Sequence, residues 1–270
     1  VQWDIYNPTH LPWNGPIDDF GHSILRISIK AFVKGMKIIR YNTVIKATFL
    51  SRPNRFIAHC ALADGTEVVS HVRNTGRCRE LLLPGVTVYL EHSPSPSRKT
   101  VYSLVAVEKG ERLINMDSQI PNGVAEEGIE RGIITFPEVG RITGIRREVT
   151  YGNSRIDLLV EGEQAKALVE VKGVTLEQAN VALFPDAPTQ RGIKHIQELQ
   201  GALRDGYLCY ILFIIQMGGR LEYFTPNDNT HPEFRRTLQE AVKAGVKALA
   251  YDCEVTPGSI TAARPVPVRV

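Results

Sequence analysis

The chain lacks the marks of several whole classes of protein. Its 270 residues include four cysteines, Cys60, Cys78, Cys209 and Cys253, and none stand as a CxxC pair. That spacing argues against a zinc site and against a disulfide framework, and it predicts a reducing, cytoplasmic setting. Cys60 and Cys209 sit in apolar runs and read as small buried residues. No apolar stretch is long. The most continuous, "YLCYILFII" at 207–215, falls well short of the about 20 residues that a membrane helix needs. No signal peptide is legible at the start. There is no GxGxxG and no Walker loop, so an enzyme of nucleotides or small molecules has little support. Nothing resembles a recognition helix that would carry a sequence code. Neither sign of charge dominates: 32 Lys and Arg against 29 Asp and Glu leave +3.

What remains is a globular composition, 43% hydrophobic and 23% charged, with length for one large domain or two ordinary ones. The charge is unevenly spread. Residues 36–122 hold 12 Lys and Arg against 7 Asp and Glu, whereas 123–270 hold 17 against 19. The basic excess in the first half points to a polyanionic partner, nucleic acid first among them. Residues 1–35 stand apart: they are rich in Pro, Gly, Asn and Asp, lack periodicity and hold both tryptophans, Trp3 and Trp13. The strand pattern that opens at Met36 marks it as the expected natural start, with 1–35 a non-native extension. The competing expectation is an arm that packs its tryptophans on the body. The mass of the natural protein separates the two.

From 36 to 121 the pattern is β. "KIIRYNTVIKATFL" is a strand or a bent pair, and "RFIAHCALADGTEVVSHV" is a hairpin around Asp64-Gly65. "TGRCRELLL" predicts a short helix that Thr75 caps and Pro84-Gly85 ends. "VTVYLEH" is a strand, and "YSLVAVEKGERLINMDSQ" a second hairpin around Lys109-Gly110. About five strands and one small helix suggest an OB-fold-like barrel, which periodicity alone does not separate from other small barrels.

From 122 to 270 strands alternate with helices. "NGVAEEGIERGI" is helical, with Val124, Ile129 and Ile133 near one side. "RITGIRREVTYG", "SRIDLLVEG" and "KALVEVKG" are strands. "APTQRGIKHIQELQGALRDG" is a helix with Pro188 in its first turn, Gly206 at its end, and Ile193, Ile196, Leu199 and Leu203 as its apolar face. "YLCYILFIIQ" reads as a central strand covered on both sides. A further helix, "HPEFRRTLQEAVKAG", and a strand, "VKALAYDCEV", follow. The second domain is therefore α/β around a mixed sheet.

Three charges interrupt two of these apolar strands: Asp157 in one, Glu170 and Lys172 in the next. Burying a charge is costly unless it is paired or holds a metal. Residues two apart in a strand share a face, so Glu170 and Lys172 point the same way while Val169 and Val171 point the other. In a hairpin Asp157 converges on Glu170. Two such carboxylates repel, and a divalent cation removes the conflict; carboxylate oxygens suit Mg²⁺ or Mn²⁺. Lys172 is then placed to orient or help deprotonate an attacking water, or to stabilise charge developing on phosphorus. As a bare pattern, D-x12-E-x-K is common, and a strand-edge salt bridge explains most instances.

The layout of an Asp strand, a polar turn, an ExK strand and a helix resembles the restriction-endonuclease-like nucleases, whose signature is written PD…(D/E)xK. Here Ile156 stands where that signature has proline. The motifs "HVRNTGRCRELLLPG", "RKT", "YGNSRIDLLVEG", "LVEVKGVTL" and "ALFPDAPTQRGIKHIQEL" resemble more narrowly the sugar fermentation stimulation protein A family, from about Met36 to the C-terminus. The resemblance implies an N-terminal OB-fold domain, a C-terminal PD-(D/E)xK domain, DNA binding and an association with the regulation of sugar (maltose) metabolism. It implies Asp157, Glu170 and Lys172 as the catalytic signature. Glu127 matches the acidic residue that such nucleases often supply to the metal from a preceding helix, and Gln216 a glutamine that some relatives hold near it. Glu126 reads as a solvated charge.

Around that centre, Arg155 is a candidate phosphate contact or a salt-bridge partner of Glu148. Asp186, Arg191, Lys194 and His195 gather at a helix start, where anions are favoured. For His195 a satisfied hydrogen-bonding role competes with catalysis. In the barrel, Arg52, Arg55, Arg73, Arg77, Arg79, Arg98 and Lys99 are candidate backbone contacts, with Phe49, Phe56 and Tyr89 as possible stacking platforms or core residues. Two positions depart from the family pattern: Arg73 replaces a proline, and Gly173 replaces a serine beside the expected metal. The expected function is therefore a DNA-binding, Mg²⁺- or Mn²⁺-dependent hydrolase of phosphodiester bonds. The alternative is a DNA-binding regulator without catalysis.

Overall fold

The computed structural model describes residues 39–74, 76–94 and 99–270. The expected start at Met36, the tryptophans, the Thr75 cap and Arg98 lie outside them.

The first domain closes on itself. Its strands are β2 (Thr43–Asn54), β3 (Ile57–Ala61), β4 (Glu67–Val72), β5 (Thr87–His92), β6 (Tyr102–Lys109) and β7 (Arg112–Asn115). They run in the order β4-β3-β2-β5-β6-β7, and a parallel pairing of β4 with β6 seals five of them into a barrel. Alternate side chains point inward, so Ala58, Cys60, Val88, Leu90, Leu104 and Val107 fill the interior. Both expected turns are present. Gly65 and Gly110 sit at φ +85° and +59°, a region that only glycine enters without strain. A two-residue strand, β1 (Ile39–Arg40), precedes the barrel but pairs with a strand of the second domain. Ile39 and Arg40 thus touch the second sheet before the chain enters the barrel.

The helix expected over 75–83 is absent; among the described residues there the chain makes only turns. Two features forbid it. Cys78 has a left-handed backbone (φ +44°). The carbonyls of Asn74, Gly76 and Arg77, which a helix would offer to its own amides, accept instead from the Arg52 guanidinium at 2.7–3.0 Å.

The second domain has a seven-stranded mixed sheet. Its strands are β8 (Ile142–Tyr151), β9 (Ser154–Gly162), β10 (Lys166–Val174), β13 (Leu208–Ile215), β15 (Lys247–Thr256) and β16 (Ser259–Pro265), with β1 at the far edge. The centre, β10-β13-β15, is parallel, and both flanks are antiparallel. The helices are α1 (Pro121–Glu130), α2 (Gln190–Arg204) and α3 (Pro232–Ala244). Alternation along β13 decides what covers what. Ile211, Phe213 and Ile215 face α2 and α3 through Ile193, Ile196, Leu199, Phe234 and Leu238. Leu212 and Ile214 face α1 through Val124, Ala125 and Ile129. Pro188 lies just before α2 rather than in its first turn. Thr189 is the N-cap, and its side chain accepts from the Gly192 amide at 3.0 Å. A small sheet of β11 (Leu176–Gln178), β12 (Val181–Phe184) and β14 (Tyr223–Pro226) was not expected. Among the described residues no helix is long and apolar enough to cross a membrane, and all four cysteines are free and buried.

Candidate active site

The two strands carrying the charges are neighbours. β9 and β10 pair antiparallel from Lys166↔Glu161 to Val169↔Leu158, and the pairing stops there. Beyond it the Asp157 carboxylate replaces the missing strand partner: its Oδ2 accepts from the Val171 amide at 2.8 Å. Its Oδ1 accepts from Asn122 Nδ2 at 2.8 Å, from the start of α1. The alternation of β9 also breaks here. Ile156 and Leu158, two apart, pack into cores on opposite sides of the sheet. Facing the break, Glu148 of β8 has a left-handed backbone (φ +56°), a conformation that costs a non-glycine residue about 1 kcal/mol or more. The strained residue of β8 thus lies opposite the position that bears the aspartate.

Glu170 and Lys172 share a face as expected, and the Lys172 ammonium donates to Glu170 Oε1. α2 lies over the same face and brings His195 Nδ1 to the same oxygen at 2.5 Å. On the other side of the ring, Arg191 Nε points at His195 Nε2 across 3.4 Å. Arginine only donates, so Nε2 accepts and the Nδ1 proton is directed at Glu170. Glu170 is 1% exposed, and its second oxygen, Oε2, is buried without a hydrogen-bond partner. Burial pushes the Glu170 carboxyl up, but the His195 hydrogen bond and Lys172 outweigh it and hold the group below its ordinary value. Asp157 goes the other way. Burial and the adjacent Glu170 charge raise it, against the opposing pull of the Val171 amide, Lys172 and Asn122. The two acids are therefore pushed apart in titration, as neighbouring carboxylates are.

The remaining expected residues divide. Glu127 is buried, but it pairs with Arg131 at 2.7 Å and lies beside Cys253 of β15. Its second oxygen, Oε2, is buried without a hydrogen-bond partner. Among the described residues no three His, Cys, Asp or Glu side chains are gathered as a metal site. Gln216 is buried; its amide donates to the carbonyls of Asn115 and Asp117 and to the Asn115 side chain, at 2.9–3.2 Å. This explains Gly173: a Cβ there would lie 2.5 Å from Gln216 Oε1 and 2.7 Å from the Pro121 ring.

Arg73, expected as a phosphate contact, is turned inward. It bridges the buried carboxylates of Glu91 at 2.7 Å and Asp117 at 2.9 Å, which need a counter-charge. Arg155 pairs with Glu148 at 2.7 Å, both exposed. Lys194 is exposed and donates to the Asn153 carbonyl, and Lys99 is exposed. Asp186 packs against Gly76 of the barrel. Asn122 was not singled out from the sequence: nothing in a spacing of 35 residues links it to Asp157.

These residues fit a divalent cation. A buried carboxylate oxygen lacks a partner, a second carboxylate stands beside it with lone pairs to spare, and their mutual repulsion needs positive charge.

Comparison with known proteins follows the same division. Residues 50–116 match the SfsA N-terminal OB domain, and residues 119–259 the sugar fermentation stimulation protein RE domain. A sugar fermentation stimulation protein homolog from Desulfitobacterium hafniense is 54% identical over 224 residues, 83% of this chain and 95% of the relative. One from Ruminiclostridium cellulolyticum is 48% identical over 232 residues, 86% and 100%. The solved structure of Pyrococcus furiosus SfsA in complex with Ca²⁺ matches with a TM-score of 0.76 at 30% identity, covering 87% of this chain and 100% of that one.

Proposed function

Because the chain belongs to the sugar fermentation stimulation protein family, with an OB domain followed by an RE domain, we propose that it is a divalent-cation-dependent hydrolase of nucleic-acid phosphodiester bonds, with DNA as substrate. The observation that carries this reading is the proximity of the Asp157 and Glu170 charges at the point where the β9–β10 ladder ends, with Glu170 Oε2 buried and unpartnered. Asp157 and Glu170 are the residues that would hold Mg²⁺ or Mn²⁺, and the archaeal relative was solved with Ca²⁺, a cation of the same oxygen-seeking chemistry. When bound, such an ion neutralises phosphate oxygens and lowers the pKa of water. Asn122 and the Val171 amide hold Asp157 in orientation. Lys172 stands ready to transfer its hydrogen bond from Glu170 to a water or a phosphate oxygen. His195 holds Glu170 in place and is itself backed by Arg191. The basic excess of the barrel supports a polyanionic substrate, bound largely without regard to sequence and sensitively to salt. Four buried free thiols suit a reducing cytoplasm.

A second reading, a DNA-binding regulator of sugar metabolism without catalysis, is favoured by one feature: Lys172 and His195 already satisfy Glu170 Oε1. The test is cleavage of labelled single- and double-stranded DNA and RNA with Mn²⁺, Mg²⁺ or EDTA, run on wild type and Lys172→Ala. Metal-dependent cutting that the variant loses by at least about 100-fold supports the hydrolase. Binding without cutting by either protein supports the regulator.

A further inference from the structure

The barrel carries an opening of about 630 Å³ that the acidic centre does not use. Its floor is apolar, with Phe49, Leu82 and Pro84, and its rim is cationic, with Arg55, Arg77 and Arg79. The opening is held in shape. Arg52 ties one wall to the other by donating to the carbonyls of Arg55, Asn74, Gly76 and Arg77, at 2.7–3.0 Å. Arg77 and Arg79 are exposed, and among the described residues no carboxylate pairs with either of them or with Arg55.

One aromatic ring of this region presents a face to solvent. Phe49 is 1% exposed and belongs to the core. The Tyr89 hydroxyl is engaged by Glu108 at 2.7 Å. Phe56, at the tip between β2 and β3, is 43% exposed, and the Arg55 guanidinium lies 4.7 Å from its ring centroid. An exposed ring with a guanidinium on it, and guanidinium groups without carboxylate partners on the same rim, are what an unpaired base and its phosphates require. A duplex hides its base faces in the stack and is read by an element that enters a groove; this face offers turns and strand ends instead.

One wall of the opening meets a loop of the second domain. A Cβ at Gly76 would lie 2.3 Å from Asp186 Oδ2, so this wall touches the loop that leads through the Thr189 cap to Arg191 and His195, and through His195 to Glu170.

We propose that single-stranded nucleic acid binds across this opening, one base stacking on Phe56, which follows the rim residue Arg55, and the backbone running over Arg77 and Arg79. The proposal rests on the nucleic-acid half of the function above and narrows its substrate class to unpaired strands. The test measures anisotropy of labelled oligo(dT), oligo(rU) and a duplex, each about 12 nucleotides long, with the full chain in EDTA so that cutting does not intervene. Single strands are expected to bind at least about tenfold more tightly than the duplex. Phe56→Ala is expected to weaken them about 5- to 150-fold, the range of one base–aromatic stack, while Val69→Ala, an exposed apolar residue of β4, leaves them unchanged. Arg77→Ala and Arg79→Ala should each flatten the salt dependence by about 0.7 in log–log slope. A bromouracil-substituted strand should photo-crosslink to Phe56. A preference for oligo(dT) or oligo(rU) identifies the sugar of the natural ligand. Equal or tighter duplex binding, or single-strand affinity indifferent to Phe56→Ala, overturns the proposal. Retained metal-dependent cleavage with no single-strand binding refutes the groove alone. Phe56-dependent binding with no cleavage refutes the hydrolase alone.

Discussion

The surroundings shift the Asp157 carboxyl up and the Glu170 carboxyl down, and that gives the site a pH signature. The raised Asp157 carboxyl means that the folded chain takes its proton more readily than the unfolded chain does. Its ionisation therefore costs stability as pH rises from about 3.8 through the raised value. Glu170 is held below 4.5, so its contribution is present above that pH and is lost as pH falls through its folded value. Asp157→Asn removes the first effect and leaves the second. We expect its melting temperature to gain on wild type between about pH 4 and pH 8 in metal-free buffer, read by circular dichroism. A variant that instead loses stability across that range contradicts the charge conflict. Gly173→Ser restores the residue the family pattern led us to expect, yet it should destabilise by about 1–3 kcal/mol in urea unfolding, because the Pro121 ring is rigid and Gln216 is fixed by three hydrogen bonds. At this scale the sequence disclosed the residue types and not their partners. Asp157, Glu170 and Lys172 stood out because charge is rare in apolar strands. Arg73 and Arg52 look like any other surface arginine until the fold surrounds them with carboxylates and carbonyls.

At the scale of elements, the register of α2 decides whether His195 meets Glu170. Thr189 sets that register from the cap. Thr189→Ala is expected to cost about 1 kcal/mol in chemical denaturation, and to loosen His195 from Glu170, visible as a change in the His195 ring resonances by NMR. No change in either would mean that packing alone fixes the helix. Elements with a strong period were legible: β13 as a nearly unbroken apolar run, α2 and α3 as amphipathic repeats. Two were not. The 75–83 segment has helix-like spacing, but its Gly76 and Arg77 carbonyls are claimed by Arg52, a residue more than 20 positions away. The β11–β12 hairpin turns at Ala179 and Asn180, at φ +48° and +67°, with neither the Gly nor the Pro that ordinarily announces a turn.

At the scale of the whole molecule, the barrel and the sheet are built as one body. One continuous apolar core includes Leu90 and Leu104 of the barrel with Ile211 and Phe213 of the sheet. Lys109 of β6 reaches Glu177 at 2.8 Å, and Arg112 of β7 donates to the Gly218 and Arg220 carbonyls at 3.0 and 2.9 Å. Gln216, at the end of β13, is bound to Asn115 and Asp117, where the chain leaves the barrel. Arg112→Ala should therefore lower the stability of both domains together, by about 1–3 kcal/mol, in a single calorimetric transition. Two separated transitions would contradict the shared core. The order of domains was legible from the change of period near residue 122. The strand β1 crossing to the far sheet was not, because two residues carry no period.

Asp157 and Glu170, on the reading proposed above, stand together to share a cation. Calorimetric titration of Mn²⁺ into the metal-free chain tests it most directly, with Asp157→Asn and Glu170→Gln beside wild type. Saturable binding by wild type that either substitution abolishes is the expected result. Wild-type affinity retained in both variants would contradict it.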